Sequence, residues 1–472
     1  MKKPVLPKEL DSSLRTSGFN EVTSTYTEKE ALDEASRCLQ CANPACIEGC
    51  PVNIDIKKFI HQIQNQDYRG AYLTIKEKNN FLSICGRVCP AEYQCRKSCV
   101  LTKKNEPFAS ANAININFLE RFIGDYGIKN NINPVYKRDE KLSKFKVAVI
   151  GSGPAGLCAA GELARLGMKV VIFEALHKPG GVLRYGIPSF RLPPDILDNE
   201  IDYLKKMGVE IVCNFIVGKT KLLDEITKDG FSAVFLGVGA GVPALLGIKG
   251  ESSCNVYSAN EFLTRVNLMK AHEFPGSHTP INIGKHIAVI GGGNTAMDAA
   301  RVALRIQRIN GIDPDVTVYY RRSEVEMPAR RLEIKHAKEE GIKFNFLVQP
   351  AEFIPDDSGF VKNMRFLRCR LGEADSSGRR RPVIIAGSDF TVNCDLAIVA
   401  IGLRANQVVT RATPELKTDK YGDIIVNPET METSIAGVFA GGDIVGGEGT
   451  VIEAMGMAKI AAKNIIKFLK KE

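Results

Sequence analysis

Residues 144–156 read Lys-Phe-Lys-Val-Ala-Val-Ile-Gly-Ser-Gly-Pro-Ala-Gly. Val147 to Ile150 is an unbroken apolar run, the mark of a short strand buried on both faces, and a glycine follows it at once. A helix is expected from Ala155 to Leu166, and a second strand, Lys169-Val-Val-Ile-Phe173, ends in Glu174. The succession predicts a βαβ unit built around a dinucleotide. Gly151 permits the tight turn, Gly153 lets the backbone approach a pyrophosphate, and Gly156 allows close packing of the helix. Pro154 and Ala155 open that helix, whose N-terminus offers the positive end of its dipole. Glu174 stands where a carboxylate accepts hydrogen bonds from ribose hydroxyls. A glycine-rich turn serving packing alone is the competing reading, and the strand, helix and terminal acid together favour the nucleotide.

The pattern recurs. His286-Ile-Ala-Val-Ile290 leads into Gly291-Gly-Gly-Asn-Thr-Ala296, a helix reaching about Arg308, and the strand Asp315-Val-Thr-Val-Tyr-Tyr320. Here the second strand ends in Arg321-Arg322, with Arg330 and Arg331 nearby, where the first unit has an acid. Guanidinium forks suit a 2′-phosphate, so this unit is expected to take NADPH, with Gly291, Gly293, Asn294 and Thr295 at its phosphates. The alternative is a solvated basic strand end. Asn294 and Asp298 also read simply as cap and helix-face residues.

A third strand, turn and helix closes the chain: Thr433 to Asp443, then Thr450 to Leu469. Gly442 and Asp443 are placed to meet the ribityl and phosphate portion of a flavin. Thr450 and Val451 begin a helix whose positive end suits a reduced isoalloxazine. A turn cap is the alternative for Asp443. Because this segment must complete a flavin fold, the second unit reads as inserted in the first. The fold class is thus α/β, an α-helical iron-sulfur domain (1–140) followed by two Rossmann-like domains. These are FAD (141–282 and 396–472) and, inserted within it, NADPH (283–395).

The helical N-terminal region carries eight of thirteen cysteines in two sets, Cys38, Cys41, Cys46 and Cys50, then Cys85, Cys89, Cys95 and Cys99. The proline after Cys50 and after Cys89 is that of ferredoxin-type runs, in which the last cysteine often serves the other cluster, so the sets are expected to interleave. Two structural zinc sites are the alternative, and with them a non-enzymatic zinc and NADPH-binding module. Hydride arrives as two electrons and a cluster takes one, so a flavin between them implies an electron-transfer enzyme ordered nicotinamide, FAD, clusters. Cys158, Cys213, Cys254, Cys369 and Cys394 are scattered, three of them in apolar surroundings.

The net charge is +9 over 472 residues, too dilute for a nucleic-acid protein, and the short Arg379-Arg380-Arg381 run lacks interleaved aromatics. No apolar h-region follows Met1-Lys2-Lys3 and no uninterrupted apolar stretch is long enough for a bilayer span, so no membrane is expected and the chain reads as cytoplasmic.

These motifs are carried in a wider pattern: Gly180-Gly-Val-Leu-Arg-Tyr-Gly-Ile-Pro188 with Phe190-Arg-Leu-Pro193, Ile290 to Asp298, Tyr320-Arg-Arg322 with Met327-Pro328, and Gly437 to Asp443. From Cys38 to Lys467 the chain resembles the glutamate synthase (NADPH) small or β subunit family. Val256 to Thr264, and Leu371-Gly-Glu with Gly378 to Pro382, look closest to its homotetrameric-type branch. That branch also holds the large subunit of the electron-bifurcating NADH-dependent reduced ferredoxin:NADP oxidoreductase and the sulfide dehydrogenase α subunit. The resemblance implies two [4Fe-4S] clusters, one on Cys38, Cys41, Cys46 and Cys99, the other on Cys50, Cys89, Cys95 and Glu120. Cys85 is then a bystander, although the residues alone leave Cys85 and Glu120 open and would make Glu120 a helical surface acid. It also implies that Gly181, Leu183 and the Tyr185 segment lie beside FAD. The implied partner is a second redox subunit, a glutamate synthase large subunit or a small flavin/iron-sulfur subunit, with ferredoxin a further candidate and self-association left open. Residue 2 is Lys, so release of ammonia from glutamine, which needs an N-terminal cysteine, is not expected of this chain. A stand-alone disulfide reductase is disfavoured because no C-x2-C or C-x4-C pair follows the flavin fingerprint.

Overall fold

The computed structural model describes residues 2–103, 108–375, 378–447 and 449–471. Its sheets take their strands in this chain order: β1 (Lys146–Ile150), β2 (Lys169–Phe173), β3 (Glu210–Val212), β4 (Ala233–Leu236), β5 (Ala240–Pro243), β6 (Val256–Ser258), β7 (His286–Ile290), β8 (Asp315–Tyr320), β9 (Lys343–Phe346), β10 (Val348–Pro355), β11 (Val361–Ala374), β12 (Arg380–Ile384), β13 (Phe390–Asn393), β14 (Leu396–Val399), β15 (Leu403–Ala405) and β16 (Val438–Ala440).

The first parallel sheet has the order β16-β4-β1-β2-β3 and the second β6-β14-β7-β8-β9. In each, the strand before the glycine fingerprint is central and its apolar residues are covered on both faces, as parallel sheets require. The last strand, β16, pairs with β4, so the C-terminal segment completes the first sheet and the second unit is inserted within it. The chain crosses between the units along an antiparallel ribbon of β5 and β15. β6, upstream of residue 283, and β14, downstream of residue 395, both belong to the second sheet. An antiparallel meander of β10, β11 and β12, with β13 paired to β11, unforeseen in the sequence, fills the stretch between β9 and β14.

The N-terminal region is helical. Thr27 and Glu30 form a capping box at the helix Glu28–Ala35. Helices Leu82–Val88 and Ile116–Lys129 touch through glycines: a Cβ at Gly86 would stand 2.5 Å from the Arg121 nitrogen. That contact brings Glu120 against the helix bearing Cys85.

A buried charge network ties the Phe190-Arg191 segment to the inserted unit. Arg191 pairs with Asp298 at 2.5 Å and Glu333 at 3.1 Å, while Arg301 and Arg305 reach Glu340 at 2.7 and 2.8 Å. The Phe190 ring lies 3.9 Å from the Arg305 guanidinium carbon. Burial pushes the Glu340 carboxyl up, but Arg301 and Arg305 more than offset this and hold it at about 2. The folded value lies below the unfolded one of about 4.3, so this contribution is complete above that pH and is lost only as pH falls through about 2. Removing the acid strands the buried Arg305 and leaves Arg301 with Glu333 alone. Glu340→Leu is therefore expected to destabilise the chain by about 3–5 kcal/mol, read as a lowered denaturation midpoint at neutral pH; an unchanged midpoint refutes the account.

Candidate functional site

Both fingerprints open onto one cleft of about 1250 Å³. On the first side, Gly151 adopts φ +95°, a backbone setting open to glycine and strained for other residues. The Gly153 Cβ direction is free of atoms within 4 Å, leaving room for a ligand. A Cβ on Gly156 would collide with the Gly151 carbonyl, so the helix can close on the turn only with glycine there. The helix Pro154–Ala164 has no side-chain cap, and its first N–H groups are left to the cleft. Gly151, Gly153, Pro154 and Ala155 line that cleft, as do Glu174, Gly181, Gly442, Asp443, Thr450 and Val451. Leu183 is 2% exposed and packs in the core beneath.

Glu174 is tied down by the turn it faces: the Ser152 N–H donates to it at 2.9 Å, the Ser152 hydroxyl donates to it as well, and the Leu176 N–H donates at 2.8 Å. Burial pushes the Asp443 carboxyl up to about 6. Thr450 caps the helix Val451–Lys470 in a capping box with Glu453, and its hydroxyl also accepts from the Gln94 amide of the cysteine domain at 3.4 Å. A paired substitution separates these glycine roles. Gly153→Ala is expected to keep the apo fold while weakening flavin binding roughly tenfold or more, the worth of one backbone–phosphate contact. Gly156→Ala is expected to lower the melting temperature as well. Equal flavin loss with equal melting temperatures would refute the division.

On the second side, Gly291 (φ +144°), Gly293, Asn294 and Thr295 line the cleft. The helix Asn294–Ile309 again lacks a side-chain cap. The Asn294 side-chain oxygen accepts from the Arg330 N–H at 2.9 Å, which gives it a positioning task within the turn. The two arginines part company. Arg321 is exposed at the cleft, whereas Arg322 is 6% exposed, pairing with Asp375 at 2.7 Å and donating to the Arg380 carbonyl at 2.7 Å. Arg330 and Arg331 face the cysteine domain: Arg330 donates to the Arg87 carbonyl at 2.7 Å, and the Arg331 N–H donates to Glu92 at 3.2 Å. The Arg191–Asp298 pair, which the sequence did not single out, lines the cleft between the two cradles.

The thiols fall into two groups. Cys38, Cys41, Cys46 and Cys99 rim one small pocket, Cys99 arriving from more than fifty residues away. Burial, followed by the neighbouring Cys99 and Cys38 thiols, pushes Cys46 up to about 12. Such thiols surrender their protons readily only to a metal. The second group is deeper. Cys50, Cys85 and Cys89 are buried, and Cys50 is pushed up to about 11 by burial, then by Glu120 and Cys85. Cys95 is likewise raised by burial, then by Cys50 and Glu120. Glu120 is 6% exposed, with burial pushing it up to about 8, so it is no surface acid: the glycine contact between its helix and that of Cys85 encloses it. Mononuclear zinc would hold thiolates ~3.8 Å apart. Among the described residues, the one trio of metal-capable ligand atoms within 4.8 Å of each other is Glu9, His336 and Glu339, with no cysteine in it. Of the scattered cysteines, Cys158, Cys369 and Cys394 are buried and Cys254 is exposed.

The cysteine domain abuts the cleft. Val88 and Pro90, on either side of buried Cys89, form part of the cleft wall. A Cβ on Gly456 in the last helix would stand 3.2 Å from the Pro51 carbonyl, next to Cys50. No described helix is long and apolar enough to cross a membrane.

Known proteins share this arrangement. Residues 15–132 match the family described as dihydropyrimidine dehydrogenase domain II, 4Fe-4S cluster, and residues 145–458 the pyridine nucleotide-disulphide oxidoreductases. The NADP(+)-dependent formate dehydrogenase subunit beta of Moorella thermoacetica is 38% identical over 90% of this chain, which spans 60% of that protein's length. The glutamate synthase [NADPH] small chain of Escherichia coli is 35% identical, with 98% of this chain and 96% of that one covered. Among solved structures, Mycobacterium tuberculosis FprA in complex with NADPH shares the fold over 69% of this chain and 85% of its own, with a TM-score of 0.59 at 22% identity. With identity above 30% across nearly the full length of both proteins, and with both domain families in the same order, the chain belongs to the glutamate synthase NADPH small-chain family.

Proposed function

We propose that this chain is an NADPH-dependent flavin and iron-sulfur oxidoreductase subunit, carrying FAD and two [4Fe-4S] clusters and exchanging electrons with a partner. The observation that carries the reading is the shared wall: Val88 and Pro90 face the nucleotide cleft with Cys89 between them. The residues fit these groups, with two uncapped helix N-termini for pyrophosphates, a rim of four thiols, and a second, buried thiol group beside a carboxyl. When bound, FAD takes a hydride from a nicotinamide and passes on single electrons that iron-sulfur clusters accept, chemistry that side chains do not supply.

The protein's own part is to hold and align. Gly151 and Gly153 seat the flavin pyrophosphate, Glu174 takes its ribose, and Gly442 and Asp443 meet the ribityl portion. Gly181, Thr450 and Val451 flank the flavin ring, with Leu183 packed in the core beneath them. Gly291, Gly293, Asn294 and Thr295 seat the NADPH pyrophosphate, with Arg321 on the 2′-phosphate and Arg322 bracing the loop. Cys38, Cys41, Cys46 and Cys99 hold the outer cluster, and Cys50, Cys89, Cys95 and Glu120 the inner one. Buried Cys89 sits between two residues of the cleft wall and the outer thiols are half-exposed, which supports a route from cleft to surface. The proposed division is 1–140, 141–282, 283–395 and 396–472, with β6 and β14 on either side of the third segment lent to the NADPH sheet.

A partner redox subunit, of the glutamate synthase large-subunit kind or a small flavin/iron-sulfur protein, would meet the outer cluster in a reducing compartment, the cytoplasm. Relatives whose names join one scaffold to glutamate synthase, formate dehydrogenase and Fe(3+) reduction support a partner-dependent outcome. The test is an anaerobic NADPH titration followed by visible absorbance. Uptake of roughly four electrons, two on FAD and one on each cluster, is expected. A colourless chain refutes the reading, and flavin bleaching with clusters left oxidised favours a bifurcating complex.

A further inference from the structure

Two side chains compete for the fourth corner of the inner thiol group, and one residue touches both. Asn79 is fully buried. The Phe81 N–H donates to its side-chain oxygen at 2.8 Å, which fixes the amide's orientation. The amide nitrogen therefore faces Glu120 and donates to its carboxylate at 2.7 Å. The same Asn79 oxygen lies 3.7 Å from the Cys85 Sγ, within reach of a thiol proton, and Cys85 has the Met455 sulfur at 3.8 Å on its other side. Cys85 also lies within hydrogen-bond reach of the Cys89 thiol, so both candidate ligands border the inner group, and Asn79 is the residue that holds Glu120 by its amide N–H while its oxygen abuts Cys85. A carboxylate oxygen pinned by an amide N–H leaves its second oxygen to serve as ligand.

We propose that Asn79 is the positioning residue that selects Glu120 over Cys85 as the fourth ligand of the inner cluster. The proposal rests on the ligand set given under Proposed function. Its corollary is a standby ligand. Without the Asn79 amide, Cys85 would take the corner that Glu120 leaves, its thiol proton going to the freed carboxylate.

The test compares four purified, anaerobically loaded chains, the native protein, Cys85→Ser, Asn79→Ala and Asn79→Ala/Cys85→Ser, by iron and sulfide content and by the EPR signal and midpoint potential of each cluster. Native iron is expected in both single variants, with the inner cluster's signal and potential shifted in Asn79→Ala alone. Roughly half the iron is expected to be lost when the two are combined, a non-additivity that general loosening of the fold would not produce. Native signals in Asn79→Ala, or native iron in the double variant, overturn the proposal. Asn79→Asp retains the acceptor for Phe81 and gives the same comparison should Asn79→Ala not fold. Glu120→Ala tests the underlying ligand set separately: native signals there would remove Glu120 as a ligand, whatever Asn79 does.

Discussion

Serine at Cys99 is expected to strip about half the iron from the chain, while serine at Cys85 leaves the iron content whole. Cys99 closes the pocket rimmed by Cys38, Cys41 and Cys46, and no other described cysteine reaches that pocket. A serine hydroxyl gives up its proton far less readily than a thiol, so the corner would stay open. Cys85 lies between the Asn79 oxygen and the Met455 sulfur, and in the proposed ligand set losing it subtracts no ligand. Iron and acid-labile sulfide analysis of the two anaerobically purified variants is the check. The reverse pattern, iron lost from Cys85→Ser and kept in Cys99→Ser, would sink the interleaved arrangement.

Arg321→Ala is expected to cost NADPH roughly 10- to 100-fold in kcat/KM and to change NADH little, because a charge-assisted hydrogen bond to a phosphate is worth about 1.5–3 kcal/mol. Arg322→Ala should weaken both nucleotides more evenly. Its guanidinium is committed to Asp375 and the Arg380 carbonyl, so its loss loosens the loop between β8 and the meander and removes no free charge. Steady-state rates with the two nucleotides and a dye acceptor decide the matter. Equal loss for NADPH and NADH in Arg321→Ala would overturn the assignment of the 2′-phosphate.

Elements fixed by local chemistry were legible before any coordinates. The strand limits 169–173, 286–290 and 315–320 were readable because each apolar run is stopped by a glycine or a charged residue. The insertion of one unit in the other was readable too, since a flavin fold without its last strand is incomplete. The meander of β10 to β12 with its β13 edge was not, because the β10 pattern is broken by Pro350 and Pro355 and the segment lies between motifs that draw attention elsewhere. At the site, the glycines announced themselves by spacing. The difference between Arg321 and Arg322 did not, as it depends on Asp375, over fifty residues away. Nor did the burial of Glu120, which follows from a helix contact made through Gly86. Asp298 read as an ordinary helix-face residue because its partner, Arg191, comes from the other nucleotide unit.

The pairing of β16 with β4 has a consequence for how the protein is made. While the chain is still emerging from the ribosome, the inserted nucleotide unit has every strand of its sheet available once residue 399 is out, whereas the flavin sheet waits for residues 438–440. Domains fold as units during synthesis. The inner unit can therefore fold first and act as a tether, holding the two halves of the outer one together at the β5–β15 ribbon until the final helix arrives to cover them.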